Sequence, residues 1–179
     1  QSPEIAALLE KYGESLRVQS ASDPLLQFRA TLHGGDAQRG EAIFRGHRKA
    51  QCLRCHKVRG NGGDAGPDLT LVADRAQQDH GQRDRIYLLE SLLDPHAKIA
   101  KGFGTVSLLL LNGKEVTGTV LEETAAQITL RTPTGTTIVV PVAEIEDRTK
   151  PQSPMPPVRD VLSKRELRDL VEFLATLKS

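Results

Sequence analysis

Apolar residues recur at helical spacing along most of the chain. A short apolar face lies near the N-terminus, and a longer stripe marks the C-terminal segment. Asp23-Pro24 is a helix start signal, and Ser163 with Glu166 has the spacing of a capping box. The pattern predicts helices within residues 1–35, from Asp36 towards Arg48, over residues 84–93 and over Glu166–Leu177.

The pattern changes over residues 104–148, where several short runs have the character of strands. Val106–Leu111 leads into Asn112-Gly113, which is a strong hairpin signal. Further runs lie at Glu115–Leu121, Ile128–Arg131, Thr136–Val140 and Val142–Ile145. We therefore expect a mainly α fold with a small antiparallel β insertion, α+β overall. The expected parts are an N-terminal helical extension or linker (1–35), a helical domain in two pieces (36–103 and 149–179) and the inserted β domain (104–148).

Length and charge limit the classes of function. The chain has 179 residues with a net charge of +1, so no overall field suggests a nucleic-acid partner. No apolar run is long enough to cross a membrane, so we expect no transmembrane segment. Aromatic residues make up 3% of the chain, so its core must be mainly aliphatic unless a large planar cofactor helps to fill it. Because the chain begins at Gln1 without Met, we expect a mature form or an excised domain.

Both cysteines belong to one pentapeptide, Cys52-Leu53-Arg54-Cys55-His56, which is a C-x-x-C-H motif. In c-type haem attachment the two thiols bond to the haem and the adjacent histidine binds the iron. A zinc site needs four ligands, and the chain has no second Cys pair. A thioredoxin-like redox pair needs a βαβ setting, whereas this motif follows a helix and precedes a Gly-rich loop. The motif therefore predicts one covalently bound haem c with its iron on His56.

Met155 is the only methionine, and it lies in a proline-flanked loop before the last helix. A thioether is a soft ligand that suits haem iron. A methionine that fills a core gap usually belongs to a periodic apolar stripe, and Met155 does not. We therefore expect Met155 to be the sixth iron ligand, with His80 and His96 as the alternatives.

Taken together, these motifs resemble class I c-type cytochromes. The shared order is Gly40-x-x-x-Phe44, C-x-x-C-H, Gly66-Pro67-Asp68-Leu69, a middle helix, a Met loop and a C-terminal helix. The stretches GDAQRGEAIF, CLRCHKVRGNGGDAGPDL, RIYLLESLLDPHAKIAKGF and SPMPP are similar to a haem-binding domain family of planctomycetes and verrucomicrobia, which also carries a β insertion before the Met loop. The resemblance covers residues 36–179 and implies a class I helical fold around one haem.

The resemblance also implies roles for further residues. The Pro67 carbonyl would accept a hydrogen bond from Nδ1 of His56, and Arg75 and Tyr87 would bind the haem propionates. The alternatives are a solvated side chain for Arg75 and core packing for Tyr87. Gly40 would let the first helix of the domain approach the last one. Covalent haem attachment takes place outside the bacterial cytoplasm, so the resemblance implies a periplasmic or otherwise extracytoplasmic protein.

Electron transfer is the leading functional hypothesis, either as a carrier or as the electron-exit domain of a larger periplasmic dehydrogenase, and not as an enzyme in its own right. Six basic residues around the motif would steer an acidic redox partner, unless they are simply exposed. They are Arg45, Arg48, Lys49, Arg54, Lys57 and Arg59. The alternative function is a haem sensor or a peroxidase-like enzyme, which needs a displaceable sixth ligand.

Overall fold

A computed structural model describes residues 2–20, 25–81 and 84–179 of the chain. The α-helices in these ranges are α1 (Pro3–Ser20), α2 (Ala37–Gly46), α3 (Cys52–Cys55), α4 (Val72–His80), α5 (Asp84–Leu93) and α6 (Lys164–Ala175). The strands are β1 (Lys57–Val58), β2 (Asn61–Gly62), β3 (Thr105–Leu110), β4 (Glu115–Glu123), β5 (Gln127–Arg131), β6 (Thr137–Pro141) and β7 (Ile145–Arg148). A 3₁₀ helix spans Leu26–Thr31, and the predicted start signal Asp23-Pro24 lies outside the described residues.

The chain divides into two compact units, and each is assembled from separate stretches. Unit 1 comprises Gln1–Gln51, Leu71–Leu93 and Val158–Ser179, and unit 2 comprises Cys52–Thr70 and Asp94–Pro157. The C-x-x-C-H motif and Met155 therefore both belong to unit 2. The domain boundaries expected from the sequence pattern stay a prediction.

In unit 1, α2 and α6 pack closely against each other. A Cβ atom at Gly40 would overlap the carbonyl oxygen of Asp169 and would lie 2.7 Å from Cβ of Phe173, so only glycine permits this approach. The rings of Phe44 and Phe173 meet near the crossing, with their centroids 5.6 Å apart. The helix contact that the resemblance implied at Gly40 is confirmed.

The N-termini of α2 and α6 are both capped by side chains. The Asp36 carboxylate accepts hydrogen bonds from the first turn of α2, and its own N–H donates to the buried Asp169 carboxylate over 2.9 Å. The predicted capping box of Ser163 and Glu166 is present at the start of α6. These caps satisfy N–H groups that a helix leaves without partners.

The first helix, α1, is largely exposed. Ile5, Leu8 and Leu9 have exposed fractions of 53%, 66% and 61%. Within the described ranges, no helix combines the length and the apolar character needed to cross a membrane.

Unit 2 contains a five-stranded antiparallel sheet with the strand order β6-β5-β4-β3-β7. The predicted hairpin between β3 and β4 is present, and Gly113 adopts a φ of 80° in its turn. The sheet has its own apolar core, because alternate side chains point to one face. The buried members of that core are Val106, Leu108, Leu110, Ile128, Leu130 and Val140.

The prediction of a mainly α fold of the class I cytochrome type is wrong. The protein is α+β, with 41% helix and 20% strand, and β3–β7 form one continuous sheet. The physical reason is that six buried side chains of the sheet form an apolar cluster by themselves. A sheet with its own core makes the fold class α+β rather than mainly α.

Candidate cofactor site

Cys52 and Cys55 lie on a single helical turn, and His56 follows it directly. α3 spans the two cysteines, and the N–H of His56 extends the turn by donating to the Cys52 carbonyl over 2.9 Å. Residues three and four apart on a helix are neighbours on its surface. Cys52 is half-buried, Cys55 is exposed, and both are free thiols. Cys52 therefore has Cys55, three residues on, and His56, four residues on, as its neighbours around the turn.

The Gly-rich loop after α3 is fastened back onto this turn. The N–H of Gly63 donates to the Leu53 carbonyl over 3.0 Å, and the N–H of Gly66 donates to the Cys55 carbonyl over 2.7 Å. A Cβ atom at Gly63 would lie only 2.9 Å from the carbonyl carbon of Arg54. The glycines therefore let the loop backbone approach the helical turn closely and hold it in place.

Gly66 and Pro67 fix the ring of His56. Nδ1 of the ring lies 3.0 Å from the carbonyl oxygen of Pro67. Because a carbonyl can only accept, Nδ1 carries the proton and Nε2 of the neutral ring keeps its lone pair. A Cβ atom at Gly66 would lie 2.7 Å from Cε1 and 2.8 Å from Nδ1, so glycine makes room for the ring. The hydrogen bond that the resemblance implied is confirmed, and Nε2 is the atom available to a metal.

Burial changes the pKa values of two residues on the turn. It lowers the pKa of His56, although the Pro67 carbonyl acts in the opposite direction, so the imidazole is neutral near pH 7. Neutral imidazole is the form that binds a metal. Burial raises the pKa of the Cys52 thiol, and the neighbouring Cys55 adds to this effect. A redox-active Cys pair needs a lowered thiol pKa, so the raised value disfavours the thioredoxin-like alternative.

The Met155 loop is joined to the sheet of unit 2. Thr105 of β3 and Gln152 exchange two backbone hydrogen bonds, of 2.9 Å and 2.8 Å. Three residues further on, Met155 is half-buried, and its N–H donates to Oγ of Ser153 over 3.2 Å. Strand pairing therefore fixes the start of the segment that carries the predicted sixth ligand.

His96 and His80 were the alternatives to Met155 as sixth ligand. Nδ1 of His96 accepts the N–H of Ser153 over 3.1 Å. A neutral ring whose Nδ1 accepts a hydrogen bond carries its proton on Nε2, so His96 has no free lone pair for iron while this bond exists. The side chain of His80 lies outside what the structure describes. The hydrogen bonding thus separates the two histidines of unit 2: His56 offers a metal a lone pair, and His96 does not.

Arg75 and Tyr87, the residues implied for the haem propionates, both lie in unit 1. Arg75 is exposed on α4, and Tyr87 is half-buried on α5, where its carbonyl accepts a hydrogen bond from Ser91 Oγ over 2.9 Å. Their roles toward a haem stay predictions. The other predicted site residues all lie in unit 2: Cys52, Cys55, His56, Pro67 and Met155.

Two of the six basic residues around the motif are paired with acids. Lys57 forms an ion pair with Asp64, and Arg45 forms one with Glu41 at 2.9 Å. Five of the six are exposed: Arg45, Arg48, Lys49, Arg54 and Arg59. The positive charge of these six residues is therefore partly neutralised by Glu41 and Asp64, which lie outside the segment 45–59.

Three residues near the site were missed by the sequence interpretation in the roles they have here. They are Gly66, His96 and Ser153. The Gly-Pro dipeptide was a visible signal for Gly66, because a glycine beside a fixed proline favours a close backbone approach. His96 sits in an Asp-Pro-His turn, and no local pattern shows that its ring reaches a residue 57 positions away.

The donors on α3 and His56 can be compared with what a covalently bound haem requires. Haem c takes two thiols and one neutral imidazole from a C-x-x-C-H segment, and a further iron ligand from elsewhere in the chain. The half-buried turn, with Nε2 of His56 unprotonated, fits this requirement. Residues 2–20, 25–81 and 84–179 contain no group of three or more His, Cys, Asp or Glu side chains placed to hold a metal ion.

Comparison with known proteins identifies no family for this chain. No protein-family model matches it. A search of curated proteins gives no match either. The family resemblance seen in the motifs therefore stays a prediction.

Proposed function

We propose that this chain is a c-type cytochrome that transfers single electrons. Cys52 and Cys55 would hold one haem through thioether bonds, and His56 and Met155 would bind its iron. The observation that carries the proposal is the hydrogen bond from Nδ1 of His56, directly after the helical turn of Cys52 and Cys55, to the Pro67 carbonyl. When bound, the haem supplies a reversible one-electron couple of its iron.

The protein's own contribution is to fix the positions of His56 and Met155. The Pro67 carbonyl fixes the tautomer and the plane of the His56 ring and raises its basicity. Burial keeps the imidazole neutral, so no proton has to leave before the metal bond forms. The pairing of Gln152 with Thr105 anchors the loop of Met155 to a strand. Ligands that stay in place through a change of iron charge are what an electron carrier needs.

The pairing of Gln152 with Thr105 also favours electron transfer over the sensor or peroxidase-like alternative. That alternative needs a sixth position that opens to a small molecule. A half-buried Met155 on an anchored loop supports a closed position.

We place the protein outside the cytoplasm and assign it a redox partner with an acidic docking surface, either a separate protein or a fused dehydrogenase domain. The localisation follows from the proposed covalent attachment of haem, and the exposed basic residues that flank the motif in the sequence support the choice of an acidic partner. The ion pairs at Arg45 and Lys57 lower the effective charge, so the steering should be moderate. Association with an acidic partner should weaken as salt is added.

The proposal is tested by absorption spectra of the protein produced with haem-attachment machinery. A low-spin c-type spectrum, with the weak far-red band that Met–iron bonds give in the ferric state, is the expected result. The band should disappear in Met155→Ala and in Met155→Leu, which keeps the volume but lacks the sulfur. Leu111→Ala, at a side chain 67% exposed in the turn after β3, is the matched control and should keep it. A colourless protein would refute the proposal, and a c-type spectrum that Met155→Leu leaves unchanged would refute the ligation.

A further inference from the structure

His96 makes a hydrogen bond to the Met155 loop. Its Nδ1 accepts the N–H of Ser153 over 3.1 Å, and the hydroxyl of Ser153 accepts the N–H of Met155 over 3.2 Å. Two consecutive hydrogen bonds therefore link the imidazole of His96 to the backbone of Met155. We propose that His96 is a positioning residue that holds the Met155 loop in the geometry needed for iron ligation. The inference rests on the proposed function of Met155.

His96 is itself held in a tight turn that starts at Asp94. The Asp94 side chain accepts the N–H of His96 over 3.2 Å, and the Asp94 carbonyl accepts the N–H of Ala97 over 3.1 Å. Pro95, between them, is buried and has a fixed φ. The ring is therefore presented by a stiff, locally bonded segment rather than by a free loop. A stiff acceptor loses little entropy when it binds the Ser153 N–H.

The backbone just before Met155 is held by two kinds of hydrogen bond. At its start, Gln152 is paired with Thr105 through two backbone hydrogen bonds. Beyond Gln152 the strand pairing stops, and the next backbone N–H, that of Ser153, goes to His96. His96 thus takes over from β3 where the sheet no longer supplies an acceptor. Loss of the His96 side chain would remove this support from the backbone just before Met155.

The identity of the accepting atom makes the inference testable. In asparagine, Oδ1 occupies about the place of Nδ1 of histidine, so His96→Asn keeps an acceptor in position. In glutamine the side-chain oxygen lies one bond further out, about where Nε2 was, so His96→Gln moves the acceptor away. His96→Ala removes it. The three variants separate the hydrogen bond from the bulk of the ring.

Two measurements report on the loop. The first is the binding of imidazole to the ferric protein in competition with Met155, followed through the far-red band. An exposed neutral hydrogen bond corresponds to about a fivefold change in an equilibrium, so imidazole should bind about fivefold more tightly to His96→Ala and His96→Gln than to the wild type. The second is hydrogen exchange at the Ser153 amide, which needs no haem and should speed up by about the same factor. His96→Asn should stay close to the wild type in both.

The outcomes distinguish failure of this inference from failure of the proposed function. A wild-type protein that binds haem without the far-red band refutes ligation by Met155, and with it the purpose assigned to His96. A wild-type protein with the band, whose His96→Ala and His96→Gln forms match it in imidazole binding and amide exchange, refutes the positioning role alone. A His96→Asn protein as impaired as His96→Ala refutes it as well, because the ring and not the acceptor would then matter.

Discussion

Replacement of Gly66 by alanine tests whether the backbone under His56 holds the proximal ligand. Gly66 lacks a positive φ, so alanine adds no backbone strain there, and the effect comes from contact alone. The new Cβ atom would lie 2.7 Å from Cε1 and 2.8 Å from Nδ1 of the ring. Ordinary contact begins at 3.4 Å, so the ring or the loop must retreat by about 0.7 Å.

That displacement is large compared with the tolerance of the hydrogen bond. The bond from Nδ1 to the Pro67 carbonyl is 3.0 Å long, and a retreat of this size away from the loop stretches it beyond the hydrogen-bonding range. Overpacking of a filled site costs about 1–3 kcal/mol. Loss of the partner that orients a metal-binding histidine lowers metal affinity about 10- to 100-fold. Gly66→Ala should therefore weaken both the fold of unit 2 and the bond from His56 to iron.

The assay combines urea unfolding with the ferric and ferrous absorption spectra, since haem would stay attached through the cysteines when the imidazole bond weakens. We expect a lower unfolding midpoint and a growing high-spin fraction in Gly66→Ala. Gly46→Ala is the matched control, because a Cβ atom there meets nothing within 4 Å and φ is not positive. If Gly66→Ala behaved like Gly46→Ala in both measurements, the proposed role of the Gly66 backbone in holding the His56 ring would be refuted.

Three further predictions concern the fold. Gly40→Ala should lower the free energy of unfolding by about 3 kcal/mol or more by separating α2 from α6, measured by far-ultraviolet circular dichroism in urea; an unchanged midpoint would contradict it. Leu108→Ala, at a fully buried position of the sheet core, should cost about 3 kcal/mol, and a cost below about 1 kcal/mol would mean that the sheet core is not packed as described. The hydrogen bonds from Arg85 hold the pKa of Glu172 below its usual range, so this pair adds stability that is complete above about pH 5 and is lost as the pH falls through the lowered pKa. Arg85→Met should therefore lose less stability than the wild type between about pH 5 and pH 3, and an equal loss would rule out this pair as the cause.

Local patterns were sufficient for several elements. The capping box at Ser163 and Glu166 depends on residues three apart, and the structure contains it. The hairpin at Asn112-Gly113 depends on one glycine that can adopt a positive φ, and it is also present. The prediction of a mainly α fold was wrong because the sequence does not show how large a core the β segment forms. Alternation in sequence shows which side chains share a face, but only packing shows that they form a core of their own.

The same contrast holds at the candidate site. The sequence by itself determined that two thiols and one imidazole stand within five consecutive residues, because the C-x-x-C-H motif is contiguous. Only the tertiary structure decided which ring nitrogen of each histidine carries the proton. His56 meets a carbonyl 11 residues away and must donate, whereas His96 meets an N–H 57 residues away and must accept. A tautomer is set by the partner that folding supplies, and no local pattern contains that partner.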